Sequence, residues 1–124
     1  MKKTNPLVSV IINCYNGDEY LSECLKSLKN QTYKNFEVIF WDNKSTDKSA
    51  LIYKKIKDKR FKYYLARKNT TLYKARNLAL QKTKGKLKDV TAFRVLIIWL
   101  SESKYSIVSG CCKTTIYFCS KLKF

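Results

Sequence analysis

Leu7-Val-Ser-Val-Ile-Ile-Asn-Cys-Tyr-Asn16 is the stretch on which the fold turns. Its mostly β-branched and apolar residues run straight into a polar and aromatic corner, Asn13-Cys14-Tyr15-Asn16. A strand covered on both faces has this composition, because a central parallel strand needs no polar side. The change at Asn-Cys-Tyr-Asn-Gly-Asp predicts a strand-to-helix turn. Ligands of open α/β sheets bind just outside the carboxyl ends of such strands. The residues around Tyr15 are therefore the first place to look for a site.

Outward from that strand the pattern repeats. Gly17-Asp18-Glu19 opens a helix in which Tyr20, Leu21, Cys24, Leu25 and Leu28 form one apolar stripe. Asp18 and Glu19 in its first turn, and Lys26 and Lys29 in its last, match the helix dipole. Phe36-Glu-Val-Ile-Phe-Trp41 is a second buried strand, ending at Asp42. Asn43-Lys-Ser-Thr-Asp47 is turn chemistry, with Ser45 or Thr46 expected to cap a helix over Asp47 to Asp58. Leu51, Ile52 and Ile56 are expected to face inward there. Phe61-Lys-Tyr-Tyr-Leu65 reads as a shorter third strand. A polar loop, Arg67 to Thr71, leads to a helix over Leu72 to Leu80, with Leu72, Ala75 and Ala79 on one side and Gly85 as its stop. The order βαβαβα predicts an α/β fold with a doubly wound, mostly parallel sheet and right-handed crossovers.

Composition narrows the chemistry. The 124 residues are enough for one domain with a single core. Lys and Arg number 26 against 9 acids, for a net charge of +17, and histidine is absent. That excludes a Ser-His-Asp triad, a histidine metal site and a histidine general base. The surplus suits anionic partners such as nucleotides, nucleic acid or an acidic membrane face, or else simply solvates the outer faces. Cysteines at 14, 24, 111, 112 and 119 match no paired zinc-ligand spacing, and reduced thiols are expected. No signal peptide is expected after Met1, and the run Val95 to Leu100 is too short to span a bilayer. The expected location is cytoplasmic, in contact with the inner membrane face at most.

Four pieces in order carry a family resemblance. Pro6 to Asn16, followed by Tyr20-Leu21, Ser27-Leu28 and Gln31-Thr-Tyr33, resembles the amino-terminal half of family 2 glycosyltransferases. Phe36 to Asp47 is similar to that family's second strand and its acidic turn. Ala75-Arg76-Asn77 and then Lys84-Gly85-Lys86 resemble the helix before the family's metal motif. The resemblance implies a GT-A fold and inverting transfer of a sugar from a nucleotide donor, assisted by Mg²⁺ or Mn²⁺, in glycan or polysaccharide assembly. It implies that Asn13 and Tyr15 lie against base and ribose, that Asp42 accepts a hydrogen bond from the base, and that Arg76 lies near the nucleotide. The competing readings make Tyr15 a core aromatic, Asp42 a turn residue and Arg76 a solvated helix charge.

The chain departs from the family at one point. Where the family carries Asp-x-Asp to hold the cation, Phe93-Arg-Val-Leu-Ile-Ile-Trp99 contains no acid; Asp89 precedes it and Glu102 follows it. No retained cofactor is expected, and nucleotide-sugar binding, if any, is expected to be weak and without help from a cation. Residues 1–86 are expected to form a partial nucleotide-sugar-binding domain. Residues 87–124 are expected to be a divergent, irregular tail, with at most one strand at Thr91 to Leu100, of a truncated or frameshifted chain without transferase activity. A sheet edge left open is expected to favour self-association. The rival function is a basic single-stranded nucleic-acid-binding module. It rests on the interleaved Lys and Tyr of Tyr53 to Lys57 and Arg60 to Tyr64; a solvated helix face beside a strand explains the same run, and no specific nucleic acid is expected.

Overall fold

In the computed structural model, the structure describes residues 7–84, 95–101 and 105–109, the last two segments as backbone. Strands β1 (Val8–Tyr15), β2 (Phe36–Asp42) and β3 (Phe61–Leu65) alternate with helices α1 (Asp18–Lys29), α2 (Ser49–Lys54) and α3 (Leu72–Leu80). β4 (Val95–Ser101) and β5 (Tyr105–Ser109) follow. The sheet order is β3-β2-β1-β4-β5, with the first four strands parallel and β5 antiparallel to β4. β1 lies between two parallel neighbours, which explains why its interior residues are buried throughout.

The segment expected to be irregular thus supplies two strands. β4 answers the strand expected at Thr91 to Leu100, and β5 is an addition that the sequence pattern did not announce. The remaining expectations for the tail, Asp89, Glu102 and the three later cysteines among them, lie outside the described residues. So does Gly85; α3 ends at Leu80 with Gln81 as its C-cap.

Helices cover both faces. On one, Leu21, Cys24, Leu25 and Leu28 of α1 and Tyr53 of α2 pack on Val10, Ile12, Val38 and Phe40. On the other, Ala75 and Ala79 of α3 pack on Ile11, Ile39 and Trp41. β1, β2 and β3 step toward one edge of the sheet and β4 lies on the far side of β1, with α3 on the face opposite α1 and α2.

α2 is shorter than the expected Asp47 to Asp58. The Asp47 carboxylate accepts the Ser49 N–H at 2.9 Å, which sets the start of the helix, and neither Ser45 nor Thr46 caps it. At the other end Asp58 Oδ1 accepts the Arg60 N–H at 2.9 Å and turns the chain into β3. Ile52 and Ile56 pack against the core as expected, Tyr53 is buried beside them and stacked on Phe40 with centroids 4.5 Å apart, and Leu51 is instead 61% exposed. Leu72 is likewise an outward residue of α3 rather than part of its buried side.

Candidate functional site

The chain winds away from β1 in both directions, toward β2 and toward β4, so the topological switch point lies between β1 and β4. Open α/β sheets bind ligands at the carboxyl ends of the strands flanking such a point. Tyr15 is the last residue of β1, half-buried, and in register with Ser101 of β4. Two residues below it, Asn13 is fully buried between Trp41 of β2 and Trp99 of β4 in register. Among the described residues, neither the Asn13 amide oxygen nor its nitrogen has a hydrogen-bond partner, and the Trp41 indole N–H also lacks one. Unmade hydrogen bonds of buried groups each cost on the order of 1–3 kcal/mol. Such groups cluster where a ligand or water completes them.

Asp42 stands at the same carboxyl edge as Tyr15, in register with Cys14. Alternation along the strands sends the two side chains to opposite faces. Asp42 is 1% exposed, and both of its oxygens are engaged: Oδ2 accepts the Tyr63 hydroxyl at 2.6 Å and Oδ1 accepts the Ser45 N–H at 2.7 Å. Burial and this bond to Asp42 hold the Tyr63 phenol protonated well above its usual range. The carboxylate therefore shapes the turn from beneath.

The three loops at this edge are tied to one another. The Asn16 N–H donates to Ser45 Oγ at 3.0 Å, and Asn16 Oδ1 accepts the Thr46 N–H at 2.7 Å. The Asp18 N–H donates to Asp47 Oδ2 at 3.0 Å, and the Gly17 N–H and the Cys14 thiol both donate to Ser49 Oγ. Burial raises the Asp47 pKa, but hydrogen bonds from Ser49 and Asp18 outweigh it and hold the carboxyl below its ordinary range. Burial pushes the Cys14 thiol up. Asn16 and Lys44 take left-handed backbone at φ 51 and φ 68. Asparagine accepts that conformation readily, whereas at Lys44 it costs about 1–2 kcal/mol that the surrounding bonds offset.

The second connection runs through Asn43, which is 1% exposed. Its N–H donates to the Cys14 carbonyl at 2.8 Å. Its amide grips the peptide of Thr70 from both sides: Nδ2 donates to the Thr70 carbonyl at 2.8 Å, and Oδ1 accepts the Thr70 N–H at 3.2 Å. Asn69 Nδ2 also donates to the Asn43 carbonyl at 3.2 Å. Asn43, Thr70 and Trp41 were not singled out by sequence. The available signal was the period of two, which turns the residue after Asp42 away from Asp42's face. Arg76 sits half-buried on α3, its guanidinium 5.5 Å from the Tyr73 ring centroid. Tyr15, Asn13 and Asp42 thus share the carboxyl edge, while Arg76 is carried by the helix behind the sheet.

The sequence model of glycosyl transferase family 2 matches residues 9–100. The chain belongs to this family. A glycosyltransferase of Haemophilus influenzae described as uncharacterized is 43% identical over 82 residues, which are 64% of this chain and 33% of that protein. Glycosyltransferase GlyA of Streptococcus pneumoniae is 37% identical over 79 residues, 63% of this chain and 11% of that protein. The chain thus spans a third or less of the length of these relatives. The crystal structure of S. aureus TarS 1-349 superimposes with a TM-score of 0.63 at 28% identity, covering 82% of this chain and 28% of that one. The same protein in complex with UDP gives 0.61 at 29% identity, covering 77% of this chain and 27% of that one. The α/β sheet with its helices is the amino-terminal part of a GT-A fold.

Family 2 enzymes commonly use a divalent metal, and the described residues do not fit one. No group of three or more Asp, Glu, Cys or His could hold an ion among them. The strand end beside Tyr15 carries Trp99, Leu100 and Ser101, where Mg²⁺ or Mn²⁺ would need hard carboxylate oxygens. Among the described residues no helix is long and apolar enough to cross a membrane.

Proposed function

We propose that residues up to Lys86 form the nucleotide-binding half of a glycosyltransferase, and that Asn13, Tyr15, Asp42 and Arg76 serve its nucleotide-sugar site. The observation that carries this reading is the likeness to TarS solved with UDP, combined with an aromatic ring at the switch point. Tyr15 offers a flat face to a nucleobase. Asn13 and Trp41 supply buried donors and an acceptor below it. Asp42 keeps the turn between β2 and α2 in shape, and Arg76 supplies positive charge from α3. Transfer to a glycan or lipid-linked acceptor is the activity we assign to the whole protein. For this chain alone we infer binding without transfer, because Phe93 to Trp99 holds none of the acids a metal-assisted departure of the diphosphate requires. Its cationic surplus also suits an acidic membrane face.

Titration calorimetry with uridine diphosphate tests the site. Tyr15→Ala should weaken binding by about tenfold, the loss of one base–aromatic stack. Mn²⁺ should leave the affinity unchanged, and a transfer assay with the same protein should show no turnover. Equal affinity in Tyr15→Ala and the parent chain would remove Tyr15 from the site.

A further inference from the structure

Beside the Asn43–Thr70 clasp lies an open depression of about 480 Å³, lined by Lys68, Asn69, Thr70, Thr71 and Lys74. No carboxylate lines it. The ion pairs among the described residues are Arg60–Asp58 and Lys62–Glu37, so neither Lys68 nor Lys74 has an acidic partner there. Two lysines therefore line one concavity that has no carboxylate in its wall. The floor is fixed: Thr70 is held by the buried Asn43 amide, and Asn43 is bonded in turn to the carbonyl of Cys14, the residue before Tyr15. A continuous line of hydrogen bonds thus joins the depression to the carboxyl end of β1.

We propose that this depression is a phosphate-binding subsite, with Lys68 and Lys74 as its charge contacts. Lysine suits it as a compact, mobile point charge that meets a phosphate without a fixed donor fork. The phosphate belongs either to the diphosphate of the nucleotide donor or to a phosphate group on the acceptor. The proposal rests on the nucleotide reading for the first source alone.

The full chain is titrated with inorganic pyrophosphate, uridine diphosphate and uridine, and so is Lys68→Gln/Lys74→Gln. Both lysines are exposed, so the double variant should fold as the parent does, which a thermal melt verifies. A second double variant, Lys54→Gln/Lys55→Gln, removes the same charge from exposed positions of the α2 region. Pyrophosphate affinity should fall about tenfold in the first variant, the effect of two exposed charge contacts, and hardly at all in the second. Uridine should bind both variants as it binds the parent. Competition between pyrophosphate and uridine diphosphate assigns the subsite to the donor; simultaneous binding assigns it to the acceptor. Equal losses in both variants mean diffuse attraction to a basic surface and overturn the proposal. Pyrophosphate binding without uridine binding keeps the subsite and removes the nucleotide reading. The reverse result keeps the nucleotide reading and removes the subsite.

Discussion

The two faces of the sheet are built from different materials. On the α1–α2 face, Leu21, Leu25 and Leu28 meet Val10, Ile12 and Phe40, and Phe40, Tyr53 and Tyr63 stack with centroids 4.5 to 5.6 Å apart. Its residues are large and apolar, and burial of such side chains is the main source of stability. On the α3 face the helix buries Ala75 and Ala79 fully, with Leu78 and Leu80 partly buried beside them, and the strands carry polar groups among their apolar ones. Glu37 joins Ser9 and Lys62 at the amino end, and Asn13 lies beside Trp41 toward the carboxyl end. One face holds the fold together. The other brings α3 close and carries the unpartnered Asn13 amide and Trp41 N–H, where the first face has the Tyr53 hydroxyl alone without a partner among the described residues.

The largest break in this contrast should come from Phe40→Ala. It removes the ring at the centre of the aromatic stack and should cost about 3–5 kcal/mol in urea unfolding. A cost nearer that of a surface change would mean that the α1–α2 face is not the anchor. Next, Ala79→Leu on the opposite face should destabilise by about 1–3 kcal/mol through overpacking, because Ala79 is fully buried against the sheet. Free tolerance of leucine there would show that α3 rides loosely.

Asn13→Leu should act with the opposite sign. It replaces an unpartnered buried amide with an apolar group of similar size and should stabilise the chain by about 1 kcal/mol while weakening binding of uridine diphosphate. Lower stability would instead reveal a partner for Asn13. The smallest effect concerns acid. Burial raises the Glu37 pKa, but hydrogen bonds from the Lys84 N–H, Lys62 and Ser9 outweigh it and leave it lowered. A carboxyl lowered in the folded state adds stability above its unfolded pKa, and that stability is lost as pH falls through the folded value. Unfolding midpoints should therefore be level near neutrality and drop below about pH 4, with a shallower drop in Glu37→Gln. An unchanged acid limb in that variant would assign the loss to Asp47 and Asp58, the other lowered carboxyls.

β1, β2, β3, α1 and α3 were legible because each is a run of one period bounded by a polar corner. α2 was less so. Its sequence pointed Leu51 inward together with Ile52 and Ile56, whereas Leu51 is exposed and Tyr53 is the residue buried on Phe40. Of the candidate site, the abrupt corner after Ile12 drew attention to Tyr15, while Asn13 and Asp42 entered through the family resemblance. Asn43 stayed hidden, since its partner Thr70 is 27 residues away. β5 was hidden for a related reason: an edge strand next to one neighbour shows little periodicity of its own.

By itself, the sequence determined which segments are buried strands, where they stop, and that no acid stands between Phe93 and Trp99. Those are local properties of composition and period. Only the tertiary structure decided that Tyr15 and Asp42 point to opposite faces and that both Asp42 oxygens are taken by Tyr63 and Ser45. It also decided that Asn16 and Ser45, 29 residues apart, fasten two loops into one edge. Such bonds depend on strand register, and register is fixed only when both faces of the sheet have found their helices.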